Sequence, residues 1–113
     1  MYQSDWKRES LTRIRKFAEK LFGEKFDSVI LFGSYARGDN DLESDFDVMV
    51  IVDLEPDMLD TYKYEFACFG TDLDLEYGVL HSFVLQDKAT FEYWKETIPF
   101  YKNIVVEGIA VNA

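Results

Sequence analysis

One stretch constrains this chain more than any other: Leu31-Phe-Gly-Ser-Tyr-Ala-Arg-Gly, followed shortly by Ser44-Asp-Phe-Asp-Val-Met-Val-Ile-Val. It reads as a strand, a Gly-Ser turn, a short helix, a loop and a second strand that carries two carboxylates. Ten residues separate Ser34 from Asp45, and one separates Asp45 from Asp47. A glycine directly after a buried strand lets the backbone pass close to a phosphate. A helix starting there aims free N–H groups at the same anion. Residues two apart on a strand project from one face, so Asp45 and Asp47 stand side by side as oxygen ligands for a hard cation. The pattern thus pairs a phosphate cradle, Gly33-Ser34, with a metal seat for Mg²⁺ or Mn²⁺.

The rest of the chain supplies an α/β frame around that pattern. Residues 5–22 read as an amphipathic helix, with Leu11, Ile14, Phe17, Ala18 and Leu21 at three-four spacing. Ser4 or Asp5 can cap its start and Gly23 stops it. Its Lys and Arg side chains are expected in solvent. Val29–Phe32 is continuously apolar, as a central strand buried on both faces should be. In Asp45–Val52, Phe46, Val48, Val50 and Val52 alternate with Asp45, Asp47 and Met49, giving a core face and an acid-bearing face. After Pro56, apolar residues recur every three or four positions through Leu59, Tyr62, Phe66, Phe69, Leu73 and Tyr77. That predicts one long helix to about Glu76, ending near Gly78 despite Gly70 inside it. The competing reading makes Leu73, Leu75, Tyr77 and Val79 a strand with Asp72, Asp74 and Glu76 on its other face. Under the helix reading, residues 79–86 form the third strand. Lys88–Glu96 reads as a helix that buries Phe91 and Trp94, and the apolar tail 104–111 is a short helix and strand or a hairpin. The expected architecture is a small mixed sheet with helices mainly on one face, in a single domain over residues 1–113.

Charge narrows the partners. The net charge is −10 and unevenly placed. Residues 1–25 hold seven Lys/Arg against four Asp/Glu, and the remainder hold five against eighteen. Such a surface repels a nucleic-acid backbone, which argues against a long DNA or RNA substrate. It remains compatible with a nucleoside triphosphate carried with a divalent cation, and with a basic protein partner. The single cysteine, Cys68, cannot form an internal disulfide and reads as a small buried residue. No apolar run of membrane-spanning length and no apolar signal core are visible, so the expected location is the cytoplasm.

The Gly33-Ser34, Asp45 and Asp47 pattern resembles the nucleotidyltransferase superfamily typified by DNA polymerase beta. The spacing is that of its smallest branch, the minimal nucleotidyltransferase (MNT) domains found beside HEPN-domain proteins. Ala36-Arg37-Gly38, Ser44 and the ending Pro99-Phe-Tyr-Lys-Asn-Ile…Glu107-Gly-Ile extend the likeness. By that resemblance, Gly33 and Ser34 hold the triphosphate of ATP or another NTP. Asp45 and Asp47 hold Mg²⁺ and carry the catalysis, and Arg37 can reach a phosphate. Arg37 can equally pair with Asp39 or Asp41, and Ser44 reads as a loop cap.

Catalytic members of the family add a third carboxylate on the next strand. If residues 79–86 form that strand, it holds no acid, and His81 and Ser82 occupy the expected place. If residues 72–77 form it, Asp72, Asp74 or Glu76 could serve. His81 reads either as a proton acceptor or as a semi-buried sheet histidine. Two functions follow. One is transfer of a nucleoside monophosphate onto an acceptor hydroxyl, with a HEPN-type toxin as the partner. The other is a catalytically weak or inactive fold that neutralises a partner by binding it.

Overall fold

The computed structural model of the chain describes residues 5–111. Helix α1 (Trp6–Phe22) leads through a 3-10 turn (Gly23–Lys25) into strand β1 (Phe26–Phe32). A single helical turn α2 (Ser34–Arg37) and a loop precede strand β2 (Phe46–Val52). Helices α3 (Pro56–Asp60) and α4 (Lys63–Tyr77) connect it to strand β3 (His81–Asp87). Helices α5 (Lys88–Trp94) and α6 (Pro99–Glu107) and a two-residue strand β4 (Ile109–Ala110) complete the chain.

The four strands form one sheet in the order β3-β2-β1-β4. β2 and β3 run parallel, because the α3–α4 crossover returns the chain to the starting end, and the other pairs are antiparallel. The sequence sets which face each residue joins. Val29, Leu31, Phe46, Val48, Val50 and Val52 pack with Ile14, Ala18 and Phe22 of α1, Leu59 of α3, and Phe66 and Leu73 of α4. Met49 and Ile51 face the other way, onto Phe91 of α5 and Ile104 of α6. The longer helices therefore cover one face, and α5 and α6 cover part of the other. In β2 every residue but Asp47 is buried, so this strand is the centre of the fold.

Several local expectations shift. The N-cap of α1 is Asp5, whose side chain accepts from the Arg8 amide at 3.3 Å. Ser4, the other candidate cap, lies outside the described residues. The long helix breaks at Thr61–Tyr62, where Tyr62 turns to pack on Phe22, so the apolar spacing carries through two helices. Gly70 is buried inside α4 because it lies over Phe83, and a Cβ there would stand 2.9 Å from that ring. Gly78 adopts the left-handed conformation and ends α4, so residues 72–77 are helical and the third strand follows them. The tail is the short helix and strand of the two options. Trp94 is 40% exposed rather than buried, because α5 presents only Phe91 to the core. Cys68 is likewise exposed, on the outer side of α4 away from Phe66 and Leu73. The basic residues of α1 are not all free in solvent. Arg13 reaches Glu76 at 2.7 Å, and Arg15 donates to the Val111 carbonyl at 2.7 Å.

Candidate functional site

The Gly-Ser turn stands where β1 ends. Gly33 has φ 76°, a left-handed value that a side chain would resist. A Cβ on Gly33 would also collide with the Asp47 carboxylate. Two separate features therefore favour glycine here: the left-handed backbone and the approach of the turn to Asp47. Ser34 opens α2, and the Ala36 and Arg37 amides already donate to the Gly33 carbonyl at 3.1 Å.

Asp45 immediately precedes β2 rather than lying within it, and Asp47 is its second residue. Phe46 between them is buried in the α1 face, which turns the flanking acids to the other side. Register places Asp47 between Phe32 of β1 and Ser82 of β3. Neither acid forms an ion pair or a side-chain hydrogen bond among the described residues. The loop before them is pinned by Ser44, whose hydroxyl accepts from the Asp41 amide at 2.9 Å, as its expected cap role requires. Arg37 pairs with Asp39 at 3.2 Å and with Glu107 of α6 at 3.7 Å.

Partial burial raises the Asp47 pKa above its ordinary value, and the nearby Asp45 charge adds to this, while Arg37 opposes it. The like charge of Asp45 is thus the second cause of the Asp47 shift, after burial. Asp47 in its charged form thus opposes folding. Its contribution favours the folded chain below the ordinary carboxylate pKa and is lost as pH rises through the raised value. We expect Asp47→Asn, with chelator present, to match wild type in acid and to melt a few degrees higher near neutrality. Equal melting temperatures across the whole range would refute this strain at the site.

The third-acid question is answered by the register. Asp72, Asp74 and Glu76 lie on α4, and Ser82 occupies the strand position beside Asp47. His81 pairs with Phe46 and faces the opposite side of the sheet. Its side chain is fully buried. Its Nδ1 faces Asp74 Oδ1 and the Val79 carbonyl, both at 2.9 Å, so it donates. Nε2 meets the Ser10 hydroxyl at 2.8 Å. His81 therefore ties α1, α4 and β3 together and is not a proton acceptor for the site. Nothing in the sequence pattern singles out Ser10, whose 0% exposure follows from this bond.

A cleft of about 240 Å³ adjoins the turn, lined by Phe32, Gly33, Arg37, Phe100, Asn103 and Glu107 among others. No group of three or more Asp, Glu, His or Cys residues arranged for a metal occurs among the described residues. The donor set is therefore two carboxylates, which suits a hard cation whose remaining ligands come from phosphate oxygens and water.

Comparison with known proteins bears on this geometry. The family model described as nucleotidyltransferase domain matches residues 11–111. Two Methanocaldococcus jannaschii proteins that carry the provisional name protein adenylyltransferase, MJ0141 and MJ0604, are 36% and 33% identical. The matches cover 72% and 84% of this chain, and 80% and 90% of those proteins. Among solved structures, a chain from a toxin–antitoxin crystal structure with AMP-PNP aligns with a TM-score of 0.54 at 20% identity. A chain from a mutant of the toxin–antitoxin MntA–HpeT aligns at 0.53 and 18%. Each alignment covers 91% of this chain and 73% of the other, and both show the same fold.

Proposed function

This chain belongs to the nucleotidyltransferase domain family, and within it we propose a protein adenylyltransferase of the antitoxin type, with a basic HEPN-type toxin as its partner. The observation that carries the reading is the close approach of Gly33 to Asp47 at the open end of the sheet. It leaves one place where a triphosphate on the turn and a cation on the acids can meet. The relatives' names support adenylate as the transferred group, and the toxin–antitoxin neighbours support a protein acceptor. No helix among the described residues is long and apolar enough to cross a membrane, which is compatible with the cytoplasmic location we assign.

In this reading Gly33 admits the triphosphate to the backbone, and the Ser34 hydroxyl donates to a phosphate oxygen. Arg37 can add a second donor by leaving Asp39, since that ion pair is exposed and weak. Asp45 and Asp47 hold Mg²⁺ or Mn²⁺. When bound, the cation neutralises phosphate charge and lowers the barrier to attack. The acceptor oxygen attacks the α-phosphorus, forming the new ester bond as the bond to pyrophosphate breaks. The acceptor's proton has no carboxylate beside Asp47 on β3 to receive it: Ser82 stands there, and Asp87 pairs with Val52 at the other end of the strand. That one observation favours the second reading, a slow or inactive domain that neutralises its partner by complex formation.

The experiment combines α-labelled ATP, Mg²⁺, this chain and the host's HEPN-type protein, read by intact mass and by gel filtration. A gain of one or more adenylates on the partner is the expected result. A stable complex without mass gain identifies the binding module, and neither result refutes both readings.

A further inference from the structure

The cleft beside the turn is not accounted for by phosphate or metal binding. Phe100, Asn103, Ile104 and Glu107 recur at helical spacing, so one face of α6 forms its wall. Phe32 and Gly33 also line it, as do Arg37 and Glu107, which form an ion pair at 3.7 Å. Phe32 and Phe100 meet nearly perpendicular, at 88° and 5.9 Å between centroids. Phe100 is 47% exposed, an unusual placement for a large apolar ring whose neighbours leave open space beside it. Asn103 makes no side-chain hydrogen bond among the described residues, so its amide is available. The cleft is smaller than the roughly 300–1,000 Å³ of sites that enclose a drug-sized ligand. It suits a single ring system whose sugar and phosphates lie outside it.

Building on the nucleotidyltransferase reading, we propose that this cleft receives the nucleobase of the NTP, with Phe100 as its stacking platform and Asn103 as the residue that selects adenine. Gly33 belongs both to the cleft and to the phosphate turn, so a base and its triphosphate can occupy the two together. An aromatic face binds any base. An Asn amide adds discrimination at the N6/N7 edge, because it can donate to N7 and accept from the N6 amine of adenine at once, whereas guanine presents two acceptors there. The missing signal in the sequence was the i, i+3, i+4, i+7 face of a nine-residue helix, whose partner wall lies far away in the chain.

The test measures binding of ATP, GTP and inorganic tripolyphosphate to the whole chain in the presence of Mn²⁺. Phe100→Ala should weaken ATP binding roughly ten- to a hundredfold and leave tripolyphosphate unchanged. Phe100→Trp should restore ATP binding. Asn103→Ala, an exposed helical position where alanine is well tolerated, should bring ATP and GTP affinities together. ATP binding that follows tripolyphosphate in every variant overturns the cleft assignment alone. Failure of wild type to bind either ATP or tripolyphosphate overturns the phosphate-and-metal reading beneath it as well.

Discussion

Changing Asp45 and Asp47 together to Asn is expected to abolish Mn²⁺-dependent NTP binding and to cut adenylate transfer by at least ~10³-fold, about 4 kcal/mol of transition-state stabilisation. Asn keeps the size of the side chain and one carbonyl oxygen but removes the charge. The register places Asp47 at the Gly-Ser turn and Asp45 just precedes it, whereas Glu107, which also lines the cleft at the turn, is paired with Arg37. Folding should not suffer. Neither acid is paired within the described residues, and Asp47 is held in a partly buried place that raises its pKa. The measurement is calorimetric titration with Mn²⁺ and ATP, alongside the transfer assay and a melting curve. Wild-type metal and nucleotide binding by the double variant would remove these residues from the site. A collapsed melting temperature would instead make them structural.

The second large effect is a gain. Ser82 lies directly across from Asp47 on the neighbouring parallel strand, within the ~4.8 Å that separates paired strands. Ser82→Asp should therefore place a third carboxylate beside the existing pair. We expect Mn²⁺ to bind roughly tenfold more tightly, because a hard cation gains a charged oxygen ligand. Transfer should rise by as much as ~10²-fold if the acceptor proton lacks a base in the natural site. Without metal the same change should lower the melting temperature near neutrality, since three like charges then share one place. Ser82→Asn is the control for size. If Ser82→Asp binds Mn²⁺ no better than Ser82→Asn, the side chain does not reach the cation site. If metal binding improves and transfer does not, the missing base is not what limits this protein.

These two outcomes separate a dormant enzyme from a binding module. A chain whose activity is restored by one carboxylate retains the rest of the catalytic geometry. A chain that gains metal affinity alone is shaped for holding a nucleotide or a partner.

The sequence by itself determined the two faces of β2, the glycine turn and the proximity of its acids. Strand alternation has a period of two, so Phe46 and Val48 had to oppose Asp47 and Met49. The three-four spacing from Leu59 to Tyr77 pointed to a helix over residues 72–77 but left the competing strand open, and the structure decided for the helix. Only the tertiary structure decided the rest. Strand order and register are long-range, and they put Ser82 rather than an acid beside Asp47. His81, next in sequence, points to the other face and is consumed by Ser10 and Asp74, which no local pattern could reveal. The same holds for Cys68 and Trp94: residue type suggests burial, but only the neighbours that cover a helix face decide it. The cleft between Phe32 and Phe100 likewise joins the end of β1 to α6 across most of the chain. Local periodicity fixes which side of an element is apolar, whereas a site forms where distant elements meet, and that meeting is set by packing.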